Sequence, residues 1–234
     1  MAEPVTNSSF TFSALPSRRR FLRAAGTTVA ASLVLAACGD DDPEPVPTSN
    51  LLSLGAGDVG IMSYLYRLKQ LQAEFYQKVI TAPPTGMTTA ELDVLKEIAL
   101  HEQVQRDFLR ALLEQNSQVA LLLAVQYSFA SFEMTTRQGV LSAARQLEDL
   151  GVAAMNGVGN LISTFLNLNL VTKITSVEAR HAATVRNLLT PGSFAGTDVV
   201  NTEGLDKVLT PTEGVVELNK FSSIPFTAAF LPTS

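Results

Sequence analysis

Apolar residues recur every three or four positions between residues 58 and 79, a spacing that keeps them on one face of an α-helix. We therefore predict a first amphipathic helix over about 58–79. It ends before the Ala-Pro-Pro-Thr-Gly segment at 82–86, because proline cannot continue a helix and glycine favours a turn. The apolar positions that define this helix are Ile61, Tyr64, Leu65, Leu68, Leu71, Phe75 and Val79.

A second helix is predicted from about Thr89 to Gln115. Thr88 and Glu91 have the spacing of a capping box, in which each side chain bonds the backbone N–H of the other residue. The apolar residues expected on the inner side of this helix are Leu92, Leu95, Ile98, Ala99, Phe108, Leu109 and Leu112.

The rest of the chain completes a helical bundle. Residues 118–134 are apolar but show no helical stripe, and we interpret them as a long crossover. Further helices are predicted over about 137–157 and 168–189, followed by a tail that wraps the bundle and contains a short helix at 211–218. Two helix pairs joined by one long connection predict an all-α four-helix bundle with an irregular C-terminal tail.

The first 37 residues are typical of an export signal rather than of a folded domain. Arg18 and Arg19, followed by Phe21 and Leu22, resemble the twin-arginine signal, which implies binding to the twin-arginine translocase during export. The apolar run over 24–37 is too short to span a bilayer as a mature helix.

The single cysteine, Cys38, ends a Leu-Ala-Ala-Cys sequence that resembles the lipobox of bacterial lipoproteins. Without a second cysteine the chain cannot form an intramolecular disulfide, and acylation explains a lone thiol in an exported protein. Each buried acyl methylene contributes about 0.8 kcal/mol to membrane binding. We therefore expect an extracytoplasmic lipoprotein, anchored to a membrane at the periplasm or cell surface. The alternative is that Cys38 merely ends an ordinary signal.

Removal of residues 1–37 leaves 13 basic and 21 acidic residues, a net charge of −8 that disfavours nucleic acid as a partner. Residues 38–54 begin with an acidic, proline-rich stretch and are expected to form an extended tether that lifts the domain off the lipid surface. The bundle is then expected over 55–190 and the wrapping tail over 191–234.

Three predicted helices carry carboxylates with the spacing of a metal site. Glu178 and His181 are three residues apart, which places both on one face of the fourth helix. Glu102 lies on the second helix and Glu148 on the third. The spacing repeats between the two halves of the chain, because position 69 precedes Glu102 by 33 residues and Glu148 precedes Glu178 by 30.

This pattern resembles the ferritin-like superfamily, in which each half contributes one Glu from its first helix and Glu-x-x-His from its second. Over roughly 55–220 the chain also resembles the secreted ferritin-like proteins often called desiccation-related. The resemblance implies a ferritin-like four-helix bundle with two metal ions bridged by the Glu of each Glu-x-x-His motif. The motifs that carry it are Leu-Gln-Ala-Glu-Phe-Tyr, Leu-Glu-Asp-Leu-Gly-Val-Ala-Ala, Val-Glu-Ala-Arg-His-Ala-Ala and Gly-Leu-Asp-Lys-Val-Leu-Thr-Pro.

The chain departs from that family pattern at two ligand positions. Lys69 stands where the first helix would supply Glu, and Gln105 stands where the second helix would supply His. The resemblance therefore implies that the first metal has lost both of its terminal ligands. The ligands that remain for the second metal are Glu102, Glu148, Glu178 and His181.

Charge favours one ion at this half site. Buried carboxylates cost several kcal/mol each unless they are protonated or balanced by cations. Lys69 and one divalent cation would balance three carboxylates, and the ligands suit Fe, Mn or Zn. Two alternatives stay open. Lys69 pairs with Glu102 and Glu178 in a metal-free polar core, or the first helix is rotated so that Gln72 or Glu74 faces inward.

The expected function is a membrane-tethered ferritin-like protein that binds at most one metal ion and serves in stress protection or metal handling. The rival is a non-enzymatic, metal-free scaffold or protective binding module. Di-iron oxidase or ferroxidase activity is disfavoured by Lys69 and Gln105, because that chemistry needs two metals sharing an oxygen-derived ligand. His101 lies about 100° around the helix from Glu102 and is interpreted as a surface or supporting residue.

Overall fold

Four long helices form most of the fold in a computed structural model, which describes residues 51–233 apart from the side chains of Val119 and Ala120. The helices pack in two pairs as a four-helix bundle, which confirms the predicted all-α fold. The first helix packs along the second, and the third packs along the fourth. The four helices are α1 (Gly57–Thr81), α2 (Thr89–Gln115), α3 (Arg137–Val158) and α4 (Phe165–Leu189).

The capping box at the start of α2 forms as predicted. The Thr88 hydroxyl accepts from the Glu91 backbone N–H at 3.3 Å, and the Glu91 carboxylate accepts from the Thr88 N–H at 2.9 Å. Glu91 also accepts from Arg137 at the start of α3, which in turn donates to the Leu188 carbonyl near the end of α4. These bonds, chiefly the one from Arg137, lower the pKa of Glu91 to about 2. Glu91 and Arg137 together therefore link the ends of three helices.

The connection between α2 and α3 runs along the bundle, with one turn of 3-10 helix at Val119–Leu122. The Thr85 N–H donates to the Thr135 carbonyl at 2.8 Å, and the Arg137 N–H donates to the Thr85 carbonyl at 2.9 Å. Because Thr85 precedes α2 and Arg137 begins α3, both helices start at the same end of the bundle. The predicted crossover is therefore observed.

The fourth helix begins at Phe165, three residues before its apolar pattern predicts. Thr164 makes no side-chain cap of its own. The Asp58 carboxylate from α1 instead accepts from the backbone N–H groups of Ser163 at 2.8 Å and Thr164 at 2.9 Å, and from Asn167 at 2.9 Å. Burial raises the pKa of Asp58, but these hydrogen bonds outweigh burial and hold the pKa well below its usual range. A cap supplied by another helix leaves no local signal.

A short parallel strand pair joins the start of the described chain to its tail. Strand β1 (Leu52–Ser53) pairs with β2 (Phe226–Thr227), with Leu52 opposite Phe226. Leu54 is 1% exposed and belongs to the core. Residues 52–54, expected to belong to the tether, are therefore part of the fold. Their partner strand is remote in sequence, so no local pattern predicts the pairing.

The tail lies against α3 and α4. The Leu209 N–H donates to the Ala153 carbonyl at 3.0 Å, and Gly157 leaves no room for a side chain because a Cβ there would overlap the Leu209 carbonyl. Arg186 on α4 bonds Asp198 in the tail at 3.1 Å. The short predicted helix is α5 (Pro211–Asn219).

One inner-face expectation is wrong. Phe108 on α2 is 37% exposed, whereas the adjacent Leu109 is 1% exposed and turns inward. Consecutive helical positions point about 100° apart, and here Leu109 lies within the inward face of α2 whereas Phe108 lies outside it.

The predicted signal peptide, with Arg18, Arg19 and Cys38, lies outside the described residues. Within residues 51–233, every helix is too short or too polar to span a bilayer.

Candidate metal centre

The four side chains predicted as metal ligands meet in the middle of the bundle. Glu102 comes from α2, Glu148 from α3, and Glu178 and His181 from α4. The three carboxylates are fully buried and His181 is 5% exposed. One ligand atom from each residue lies within 4.8 Å of the others. The cluster could therefore hold a metal ion.

The imidazole of His181 faces all three carboxylates. Its Nδ1 lies 3.0 Å from Glu102 Oε1, 3.5 Å from Glu178 Oε1 and 3.7 Å from Glu148 Oε2. Glu148 Oε2 is buried and has no hydrogen-bond partner. Buried polar atoms are rarely left without a partner, and a cation held between these four groups would supply one.

Lys69 occupies the opposite side of Glu102 and Glu178. Its Nζ is 2.9 Å from Glu102 Oε2 and contacts Glu178 Oε1, and all three side chains are fully buried. Glu102 thus directs one oxygen to His181 and the other to Lys69. Glu74, the alternative inward residue on α1, is half-buried at the bundle edge and accepts from Gln70 at 3.2 Å. The observed register of α1 is the one that turns Lys69 inward.

Gln72 is a site residue that the sequence interpretation offered only as an alternative to Lys69. Its Nε2 donates to Glu178 Oε2 at 2.9 Å, on the same face of α1 as Lys69 because three residues separate them. Gly151 makes this bond possible, since a Cβ there would lie 2.5 Å from Glu178 Oε2 and 2.9 Å from Gln72 Nε2. A glycine inside a helix, three residues after a proposed ligand, was the signal.

Tyr76 is a second contact that sequence reasoning missed. Its buried hydroxyl donates to Glu148 Oε1 at 2.6 Å. Tyr76 follows Lys69 by seven residues, two helical turns, and so shares its face. By holding one oxygen of Glu148, Tyr76 leaves the other directed at the imidazole of His181.

His101 supports His181 from the surface. Its Nδ1 is 2.9 Å from His181 Nε2, and the two rings meet edge to edge with an interplanar angle of 11°. This contact fixes the ring orientation in which Nδ1 of His181 faces the carboxylates. His101 is exposed, so the predicted role of surface or supporting residue describes both of its properties.

Gln105 follows Glu102 by three residues and therefore shares its face of α2. Its Oε1 is buried and makes no hydrogen bond. A neutral amide therefore stands where the family resemblance would place an imidazole.

Burial and neighbouring charges give the three carboxylates different pKa values. Burial, followed by the negative charge of Glu178, raises the pKa of Glu102 and raises the pKa of Glu148 well above its usual value. Burial also raises the pKa of Glu178, but the charge of Lys69 and the hydrogen bond with His181 outweigh it, so the net shift is strongly downward. Glu178 is therefore the carboxylate most firmly held as an anion.

The basic groups respond to the same charges. Burial lowers the pKa of His181, but its hydrogen bonds to Glu102 and Glu178 outweigh burial and raise the pKa to about 9. The pKa of Lys69 is likewise raised, because the charges of Glu102, Glu178 and Glu148 outweigh the effect of burial. Both partners of the carboxylates are therefore cationic at neutral pH when no metal is bound.

The residues present fit one metal ion and not two. Glu102, Glu148, Glu178 and His181 provide four donors around one point, including the unpartnered oxygen of Glu148. On the other side, the Lys69 ammonium already uses the oxygens of Glu102 and Glu178 and would repel a second cation.

Comparison with known proteins gives the family. Residues 57–191 match the family described as Ferritin-like domain, and the chain belongs to it. No curated protein sequence matches the chain.

Proposed function

We propose that this ferritin-like protein binds a single divalent transition-metal ion and serves in metal handling or stress protection outside the cytoplasm. Three carboxylates and one imidazole suit Fe, Mn or Zn. When bound, the ion would supply a Lewis-acidic centre. The residues that hold it are Glu102, Glu148, Glu178 and His181.

The observation that carries this proposal is the contact of Lys69 with both Glu102 and Glu178. Three buried carboxylates bring three negative charges, of which Lys69 cancels one. A single divalent ion beside a neutral His181 cancels the other two, whereas a second ion would leave excess positive charge in the core.

The contacts at Lys69 also support a rival. With His181 protonated and one carboxylate protonated, the cluster is neutral without any metal, and the protein would act as a scaffold or protective binding module. The two accounts differ in whether the purified protein takes up a metal ion.

Metal content distinguishes the metal-binding proposal from the metal-free scaffold. We expect the purified protein to bind close to one Fe, Mn or Zn ion per chain and never two. His181→Ala should abolish this binding, because it removes the only imidazole that contacts the three carboxylates. The measurement is elemental analysis after incubation with each metal and removal of excess ion.

The matched control is Glu74→Gln, which changes a half-buried carboxylate on α1 that bonds Gln70 rather than the cluster. This variant should keep one ion per chain. A protein that stays metal-free with all three metals would refute the metal-binding proposal and favour the scaffold.

The N-terminal sequence supports a membrane-anchored protein. Arg18 and Arg19 fit recognition by the twin-arginine translocase, and Cys38 fits acylation at a lipobox. In our proposal, the protein is an exported ferritin-like protein of the desiccation-related kind that is held at a membrane, and these N-terminal features support it.

Cys38→Ser should move the mature chain from the membrane to the soluble fraction, because it removes the only thiol that can be acylated. Fractionation of cells followed by mass spectrometry of the N-terminal peptide tests this. An unmodified Cys38 in the mature protein would contradict the lipid anchor without affecting the metal proposal.

A further inference from the structure

Four segments of the described chain contain no charged residue. Asp, Glu, Lys and Arg make up 17% of the chain, yet none occurs in residues 51–57, 115–132, 150–172 or 221–233. Asp58 borders the first segment, but its carboxylate already accepts hydrogen bonds from Ser163, Thr164 and Asn167.

Contacts bring part of each segment to the same end of the bundle, where α1 and α4 begin and α2 and α3 end. Hydrogen bonds join the first segment to the last, and Asp58 binds the start of α4. The 3-10 turn after α2 packs at the start of α1. The contacts that make these links are Leu52 with Pro225, Asp58 with Ser163, and Gly55 with Leu121.

Large apolar side chains are exposed on these segments. Phe165 is 80% exposed and Phe230 is 63% exposed. With the exposed Leu51 and Leu166, they form what we call the apolar end. Single exposed apolar residues are ordinary, but several on one uncharged surface indicate an interaction site.

We propose that the apolar end docks on the surface of a lipid bilayer. Exposed aromatic and aliphatic side chains enter the boundary between headgroups and acyl chains, and the absence of charge keeps the cost of desolvation low. The docked protein would insert Phe165, Leu166 and Phe230 while the metal cluster stays in the middle of the bundle.

The position of the chain start supports this partner. Leu51, the first described residue, belongs to the apolar end and lies 13 positions after Cys38 in the sequence. Fully extended, the chain between them spans at most about 45 Å. An acylated Cys38 would therefore keep the apolar end close to the membrane. This closeness to the membrane depends on the proposed lipid anchor, whereas the composition of the apolar end is independent of it.

Other exposed apolar residues lie next to charged side chains. Val104 and Phe108 on α2 are exposed beside Arg106 and Asp107. Burying that surface in lipid would desolvate the charged neighbours as well. The apolar end is therefore better suited to lipid than this face of α2.

The charge of the protein specifies the kind of lipid surface. The apolar end offers no basic residue to anionic headgroups, and the chain from residue 38 carries a net charge of −8. Docking should therefore occur on zwitterionic phosphatidylcholine vesicles and should change little with salt, unlike binding through a basic patch.

Tryptophan fluorescence tests the proposal, because the chain contains no tryptophan. Phe165→Trp and Phe230→Trp each place a unique fluorophore at the apolar end. Phe194→Trp is the matched control, since Phe194 is 60% exposed but lies beside Ala182, about 25 Å along α4 from Phe165. Each variant of the lipidated protein is reconstituted into vesicles with or without brominated acyl chains.

We expect brominated lipid to remove most of the emission of the Phe165→Trp and Phe230→Trp variants, with a blue shift, and to leave that of Phe194→Trp nearly unchanged. Equal emission in both vesicle types for all three variants would overturn the proposal, and the tether would then hold the domain away from the lipid. Loss of a dimer on Phe165→Ser, without quenching in the tryptophan variants, would assign the surface to a second copy instead.

A second arm separates docking from the anchor. The mature chain from residue 38 with Cys38→Ser, at high concentrations of vesicles, should still show quenching at Phe165→Trp, and Phe230→Ser should weaken it. If this arm shows quenching but Cys38 is unmodified in cells, the docking proposal stands and the lipid anchor is refuted. No quenching in either arm would refute docking whether or not Cys38 is acylated.

Discussion

Lys69→Met should lower the free energy of unfolding by about 3–5 kcal/mol in metal-free buffer, the typical cost of removing one partner from a buried ion pair. Lys69 is fully buried and contacts Glu102 and Glu178, so its loss leaves both carboxylates with His181 as their only cationic neighbour among residues 51–233. Urea denaturation in the presence of a chelator measures the change.

The matched control is Lys96→Met, which removes a lysine of α2 that pairs with Asp93 at 2.8 Å on the surface. Exposed pairs contribute at most about 1 kcal/mol, so this variant should remain close to the unchanged protein. A similarly small effect for Lys69→Met would mean that the carboxylates are neutralised by protons and not by Lys69. If the cluster binds metal, a divalent ion should restore much of the stability lost in Lys69→Met.

Lys69→Glu combined with Gln105→His should raise the metal content from one ion per chain towards two. The double change supplies a carboxylate from α1 and an imidazole from α2, beside the oxygens of Glu102 and Glu178 that Lys69 now occupies. Four carboxylates then balance two divalent ions. Elemental analysis and calorimetric titration of the purified variant measure the stoichiometry.

The control for this variant combines Lys69→Glu with Gln103→His. Gln103 is two residues from Gln105 on α2 and bonds Gln77 at 3.2 Å, so its side chain points away from the cluster. This control adds the same charge and the same imidazole without the second ligand. A double variant that binds no more metal than the control would show that the first site has lost more than its two terminal ligands.

The sequence by itself determined the helices and the positions of the candidate metal ligands. Periodic apolar residues and the capping box of Thr88 and Glu91 act within one helix, so they are readable without the fold. The same is true of Glu178 and His181, whose three-residue spacing places them on one face. The resemblance to the ferritin-like pattern then identified Lys69 and Gln105 as the departures.

Only the tertiary structure decided which side chains complete the cluster. Gln72, Tyr76 and His101 act on residues of other helices, and Gly151 matters because of what lies opposite it. A helical pattern gives the direction of a side chain relative to its own axis. It does not give the atoms that another helix brings within 3 Å.

The ends of the bundle follow the same distinction. The capping of α4 by Asp58 and the pairing of Leu52 with Phe226 join residues that are far apart in the chain. Each uncharged segment is visible in the sequence, but the meeting of parts of these segments at one end of the bundle is not. Packing of remote segments, not local propensity, decided where α4 begins and where the fold starts. The same packing brings Phe165 and Phe230 to one apolar end.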